Sequence, residues 1–150
     1  MEVYPIRKAR FEDARSIAKF NQNMALETEN KILADEVIMP GVEAVLKDES
    51  KGFYYVAETD EKVIGQLMIT FEWSDWRNNT IWWIQSVYVD EPFRGKGIYK
   101  ALYEKVKSDA RNAGIQTIRL YVEKENHLAQ SVYQKLGMEE TVYDMYEVNL

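Results

Sequence analysis

The stretch Ile81-Trp82-Trp83-Ile84-Gln85-Ser86-Val87-Tyr88-Val89, followed by Asp90-Glu91-Pro92-Phe93 and then Arg94-Gly95-Lys96-Gly97-Ile98-Tyr99-Lys100, decides the fold. Its first nine residues form an apolar, β-branched and aromatic run suited to a central strand, and Asp90-Glu91-Pro92 ends that strand. The spacing predicts a helix from about Gly97 to Ala113, stopping at Gly114. Ile115 to Val122 then returns to strand, with Ile118, Leu120 and Val122 alternating. The unit is strand, loop, helix, strand, and the loop is rich in glycine and positive charge.

That loop has the chemistry of an oxyanion cradle. Gly95 and Gly97 can take conformations that turn successive N–H groups inward, and the helix behind them offers unpaired donors and a positive dipole end. Arg94, Lys96 and Lys100 add charge where a di- or triphosphate would need it. The nucleoside-triphosphatase loop requires four residues between a glycine and Gly-Lys-Ser/Thr, which this stretch lacks. The dinucleotide fingerprint requires a further glycine where Lys100 stands. The bland alternative is a strand-to-helix turn with solvated cations.

Working outward, Val3 to Lys8 reads as a short strand. A helix follows, with Glu12 and Asp13 in its first turn and Ile17, Phe20 and Met24 on one face to about Ala25. Glu27-Thr28-Glu29-Asn30-Lys31 interrupts that face, and a second helix covers Glu36 to Asp48 with Val42, Val45 and Leu46 buried. Phe53 to Ala57 and Val63 to Phe71 make a hairpin around Asp60-Glu61-Lys62, and Ser74 to Thr80 is a polar loop. Beyond Val122, a short helix from about His127 to Leu136 closes at Gly137, and Glu139 to Val148 supplies one or two final strands. The expected class is α/β, a single domain over residues 1–150, with no repeat or linker dividing it.

Composition narrows the chemistry. Of 150 residues, 46% are hydrophobic and 29% charged, so the chain has the makings of a packed core. Cysteine is absent, which excludes disulfides, thiolate metal sites and a cysteine nucleophile; the single histidine, His127, argues against a histidine-rich metal centre. The net charge of −6 opposes nucleic acid as a partner. No apolar run approaches the ~20 residues of a membrane span and the first residues lack a secretory apolar region, so a cytoplasmic location is expected.

A second motif follows the strand at Ile115 to Val122, at its C-terminal end: Asn126-His127-Leu128-Ala129-Gln130-Ser131-Val132-Tyr133-Gln134-Lys135-Leu136-Gly137-Met138. Asn126 can cap the helix, and Ala129 and Tyr133, four residues apart, share a face on which the small side chain leaves room beside the phenol. Taken with Arg94-Gly95-Lys96-Gly97, this pattern resembles the GNAT family of N-acetyltransferases over nearly the whole chain. The family's Arg/Gln-x-x-Gly-x-Gly/Ala motif is matched at Arg94 and Gly97, whereas Tyr99 stands where that motif has Gly or Ala, so its side chain must point elsewhere.

The resemblance implies a mixed, mostly antiparallel sheet flanked by helices, acetyl-CoA as cofactor, and acetyl transfer to a primary amine. Val87, Tyr88 and Val89 would offer backbone groups to the pantetheine arm. Arg94, Gly95, Lys96, Gly97, Ile98, Tyr99 and Lys100 would cradle the pyrophosphate, and Asn126, Ala129 and Tyr133 would line the thiol end. Tyr133 would be the general acid, since a phenol stays protonated at neutral pH. Gln85 occupies the strand position where many relatives carry Glu, and an amide cannot take a proton, so a water chain is expected to serve as base. Its candidate ends are Glu27, Glu29, Glu72 and Asp75. Glu27, Glu29, Trp73, Asp75 and Trp76 are expected to border an acceptor cleft that favours a cationic amine, with carboxylates and indole faces holding the ammonium. A homodimer is compatible with this fold; metal, nucleic acid and membrane are not expected. A non-catalytic acyl-CoA-binding sensor with the same fold is the competing reading, favoured by Gln85 and opposed by Tyr133.

Overall fold

A computed structural model describes residues 3–150. Residues up to Leu120 and residues from Tyr121 onward form two compact units.

The first unit is an α/β layer structure. Strand β1 (Ile6–Lys8) leads through a 3-10 turn (Phe11–Asp13) to helices α1 (Ala14–Glu29) and α2 (Asp35–Lys47). Strands β2 (Phe53–Thr59), β3 (Lys62–Ser74) and β4 (Asn79–Val89) follow, then a second 3-10 turn (Glu91–Phe93), helix α3 (Ile98–Asn112) and β5 (Ile118–Arg119). The sheet order is β1-β2-β3-β4-β5, antiparallel throughout except for the parallel β4–β5 pair. This is the mixed, mostly antiparallel sheet expected.

Alternation along β2 explains why the sheet is covered on both faces. Tyr54 and Val56 join a core with Ala14, Ile17, Ala18 and Phe20 of α1, Val42 of α2 and Tyr88 of β4. Tyr55 points the other way and donates its hydroxyl to Asp109 of α3. On that face Ile98 of α3 packs so close to Gly65 that a Cβ there would stand 3.0 Å from its Cγ2. Val42 is fully buried as expected, and Val45 and Leu46 are partly so.

Most boundaries shift by a few residues from the sequence reading, and three of the differences have a visible cause. Helix α1 runs on through Glu29, with the Thr28 hydroxyl donating to the Met24 carbonyl within it, and it stops where Asn30 turns left-handed at φ 52°. The stretch expected as strand from Ile115 to Val122 pairs only at Ile118 and Arg119, opposite Trp82 and Trp83. Asp13, expected in the first turn of α1, sits at its N-cap and reaches back to the Arg10 N–H at 2.7 Å and to Arg7 at 2.8 Å.

The second unit holds helix α4 (His127–Lys135), which Gly137 closes at φ 92°. The final strands expected over Glu139 to Val148 are not formed: these residues have neither helical nor strand structure. Their alternating pattern is present, but a strand needs a partner before its backbone groups can pair.

Candidate active site

The glycine-rich loop is built as a cradle. Asp90 accepts the Glu91 N–H at 3.1 Å and sets the 3-10 turn that ends β4. Gly95 (φ 76°) and Gly97 (φ 80°) are both left-handed, a conformation that costs other residues about 1–2 kcal/mol. A Cβ at either would meet nothing within 4 Å, so the need for glycine is conformational and the space above the loop is open. Gly97 caps α3, whose first turn presents N–H groups that no helical carbonyl can reach. Lys96 and Lys100 stand exposed beside them, and Ile98 is buried as the anchor.

Arg94 is held in place. Its Nε donates to the Val89 carbonyl at 2.8 Å, its Nη2 to Glu27 Oε2 at 2.9 Å, and its guanidinium lies 5.2 Å from the Tyr88 ring centre. The Tyr88 hydroxyl donates to the other Glu27 oxygen at 3.0 Å. Burial would lower the Arg94 pKa, but the hydrogen bond and charge of Glu27 outweigh it and raise it. Burial and the same carboxylate push the Tyr88 phenol up. Glu27, expected at the acceptor cleft, therefore bridges α1 to the glycine-rich loop and to β4.

Strand β4 is paired with β5 over only part of its length. Its pairing with β5 stops at Trp83, so Ile84 to Val89 have β3 on one side and no β5 ladder on the other. Within that run Ser86 adopts φ 53° at an irregularity in the β3 register, and its carbonyl accepts the Gln66 amide at 3.1 Å. Gln85 donates to the Thr70 hydroxyl at 2.7 Å.

Beside Ser86 lies a cavity of about 390 Å3 between α1, α2 and the sheet. Met24, Ile38, Val45 and Met68 line it with apolar surface, while Asn21, Tyr54, Glu29 and Lys31 supply polar groups. Glu29 Oε1 stands 3.5 Å from the Lys31 ammonium. A larger concavity of about 740 Å3 lies over Arg7, Asp13 and Glu58, whose charges are already paired at 2.8 and 3.0 Å.

The other sequence candidates fall elsewhere. Glu72 accepts the Trp83 indole N–H at 2.9 Å and pairs with Arg119 at 3.8 Å. It lies opposite Ile81, roughly 17 Å along β4 from Ser86 at about 3.3 Å per residue. Trp73, Asp75 and Trp76 are at or near the β3–β4 hairpin tip, with Trp73 and Trp76 largely exposed. The structure thus does not bring these four residues together with Glu27 and Glu29. Trp82, by contrast, is buried against Phe53 at 5.4 Å.

In the second unit Asn126 caps α4 as expected, accepting the Ala129 N–H at 3.2 Å. Ala129 and Tyr133 are half-buried on one face, and burial pushes the Tyr133 phenol above its ordinary value. His127 is exposed beside Glu125. Sequence reasoning missed the Glu27–Arg94–Tyr88 cluster, since 67 residues separate the ion pair and no local pattern joins them. It also missed the cavity and the left-handed Ser86.

Comparison with known proteins agrees with this architecture. The solved structure of a "possible acetyltransferase" from Clostridium difficile 630 is 49% identical, with 99% of each chain covered and a TM-score of 0.93. A "predicted acetyltransferase with acetyl-CoA" from Clostridium acetobutylicum shares the fold at 22% identity, over 98% of this chain and 96% of that one, with a TM-score of 0.80. Among curated proteins, an uncharacterised N-acetyltransferase of Methanocaldococcus jannaschii is 33% identical over 97 residues, 64% of this chain and 42% of its own length. The thialysine N-epsilon-acetyltransferase of Bos taurus is 31% identical over 78 residues, 52% of this chain and 45% of its own. The chain thus spans less than half the length of either curated relative. The family model for acetyltransferase (GNAT) proteins matches residues 11–138, and the chain belongs to the GNAT acetyltransferase family.

Proposed function

We propose that this GNAT acyltransferase moves the acetyl group of acetyl-CoA directly to a primary amine of a small molecule or protein, with Tyr133 as general acid. The observation that carries the reading is the loop Arg94–Lys100: two left-handed glycines with nothing within 4 Å of a built Cβ, the start of α3 and the cations Arg94, Lys96 and Lys100 follow directly on β4, whose ladder with β5 ends at Trp83. That donor set suits a pyrophosphate, and the run of β4 beyond that ladder suits an extended amide-bearing arm, which can pair with a strand as a peptide does. The solved Clostridium acetobutylicum relative described with acetyl-CoA supports the same cofactor.

Bound acetyl-CoA would supply an activated thioester. The chain's own residues do the rest. Gly95 to Lys100 hold the phosphates, and Val87, Tyr88 and Val89 orient the arm and leave a backbone N–H to polarise the carbonyl. The Tyr133 phenol, kept protonated by burial, donates to the departing sulfur. Asn126 fixes the start of the helix that carries it.

The cavity beside Ser86 suits the acceptor. Its apolar wall would take an alkyl chain and Glu29 an ammonium; the Lys31 ammonium 3.5 Å from Glu29 makes the contact that a cationic acceptor would reproduce. Gln85 cannot take a proton, so a water chain ending at Glu29 deprotonates the amine. Trp73, Asp75 and Trp76 would meet only an acceptor large enough to reach the hairpin tip. Mass spectrometry of an amine panel after incubation with acetyl-CoA tests the proposal. An acetylated amine formed only with the protein supports it, and a panel of lysine-like, polyamine and aryl amines left unmodified overturns it.

A further inference from the structure

Among the described residues, Asn30, Asp60, Glu61, Asn78 and Ser86 have left-handed backbone without being glycine. The first four sit at a helix end or a hairpin turn, where that conformation reverses the chain. Ser86, at φ 53°, sits inside a strand. Gln66 stands opposite Tyr88 and Met68 opposite Gln85, so β4 has one more residue than β3 over this stretch, and Ser86 lies in the surplus. Serine has no intrinsic preference for this shape, so its surroundings must impose it.

The group placed to impose it is the Gln66 side chain. Gln66 is fully buried, and its Nε2 donates to the Ser86 carbonyl at 3.1 Å and to Asn21 Oδ1 of α1 at 3.2 Å. Asn21, itself buried, also hydrogen-bonds the Tyr54 phenol, which ties the amide to α1 and β2 together. A carbonyl can only accept, and this fixes which end of the amide faces Ser86. The other end is left over: Gln66 Oε1 is buried with no hydrogen-bond partner among the described residues. An orphaned buried acceptor is unfavourable, and a methionine of similar length would pack there without one. Stability alone does not account for an amide at this position.

The Ser86–Val87 peptide is planar and trans, so its N–H points opposite to its C=O. Holding the Ser86 carbonyl toward Gln66 therefore turns the Val87 N–H away from it, in the run of β4 beyond Trp83 where the β5 ladder has ended. We propose that Gln66 is a positioning residue, whose amide sets the Ser86–Val87 peptide and so aims the Val87 N–H at the thioester carbonyl. The thioester belongs to the acetyl-transfer reading, on which this role rests; the aim belongs to the Gln66–Ser86 hydrogen bond.

Gln66→Met in the full chain, which keeps the volume and removes the donors, tests this. The variant should fold with a thermal midpoint near that of the wild type, lose at least ~10-fold in kcat and keep its coenzyme A Kd within about 3-fold. The Ser86 Cα and Cβ chemical shifts, which report φ and ψ, should move toward extended-strand values. Glycine takes positive φ freely, so Ser86→Gly added to Gln66→Met should recover at least ~3-fold in kcat, a rescue that a space-filling role for Gln66 would not produce. A Gln66→Met variant that does not fold, that keeps wild-type kcat, or that loses only coenzyme A affinity would overturn the role, as would a double variant with no recovery. Should the wild type turn over no amine, acetyl transfer falls and the Ser86 shifts decide by themselves: moved in Gln66→Met they uphold the setting of the peptide by Gln66, and unmoved they overturn it.

Discussion

Glu27 and Arg94 meet at 2.9 Å, tying the C-terminal turn of α1 to the start of the glycine-rich loop. The guanidinium that the cofactor reading assigns to a pyrophosphate is therefore already occupied by a carboxylate. Binding phosphate must either share Arg94 with Glu27 or displace it. Both side chains are 43% exposed, and an exposed pair of this kind is worth about 0.2–1 kcal/mol, a modest competitor. Glu27→Gln should tighten coenzyme A binding roughly 2- to 5-fold in calorimetric titration, and Arg94→Ala should weaken it about 10- to 100-fold. A Glu27→Gln variant that binds more weakly would instead make Glu27 a positioning residue for Arg94.

The cradle itself depends on Gly97. At φ 80° with nothing within 4 Å of a built Cβ, a side chain there is resisted by backbone conformation and not by crowding within the protein. Gly97→Val should abolish the thermal stabilisation that coenzyme A gives the wild type, at a cost of about 1–3 kcal/mol to the free protein. A folded variant with an unchanged shift would remove this loop from the binding site.

Tyr133→Phe separates chemistry from packing. It should lower kcat roughly 10²-fold or more with little change in coenzyme A affinity. Because burial raises the phenol above its ordinary value, any alkaline loss of wild-type rate from this group should set in at higher pH than for a free phenol. Equal activity in the variant would return Tyr133 to a packing role.

Stability under acid should report on Asp13. Its burial would raise its pKa, but hydrogen bonds from Arg7 and the Arg10 N–H overcome that and hold it below the usual 3.8. A carboxylate depressed in the folded state stabilises fully above its unfolded pKa, and that contribution is lost as pH falls from about 4 through the lowered native value. Asp13→Asn should cost about 1–3 kcal/mol at neutral pH and flatten the stability profile below about pH 4 in denaturant titrations. An unchanged profile would place the acid sensitivity elsewhere.

The legible parts of this molecule are those written locally. The β4 run, the Gly95–Gly97 turn, the hairpin around Asp60 and the Asn126 cap each depend on neighbours within a few residues, and each stands as the sequence implied. The illegible parts depend on distant partners. Nothing near Ser86 marks it for φ 53°; it sits where β3 and β4 fall out of register. Ile115 to Val122 alternates like a strand, but its ladder ends where β4 leaves it, at Trp83. Glu27 and Glu72 read alike as surface acids, yet one holds Arg94 and the other holds the Trp83 indole and Arg119.

Acetyl transfer from acetyl-CoA to an amine is the activity proposed for this chain. Initial rates of coenzyme A thiol release, measured with acetyl-CoA alone and with each member of an amine panel, test it most directly. The account predicts release that depends on the amine, is fastest with a cationic acceptor, and weakens as salt screens Glu29. Acetyl-CoA that binds the 94–99 loop yet releases no thiol above the uncatalysed rate with any amine would contradict it and leave a binding protein in an acetyltransferase fold.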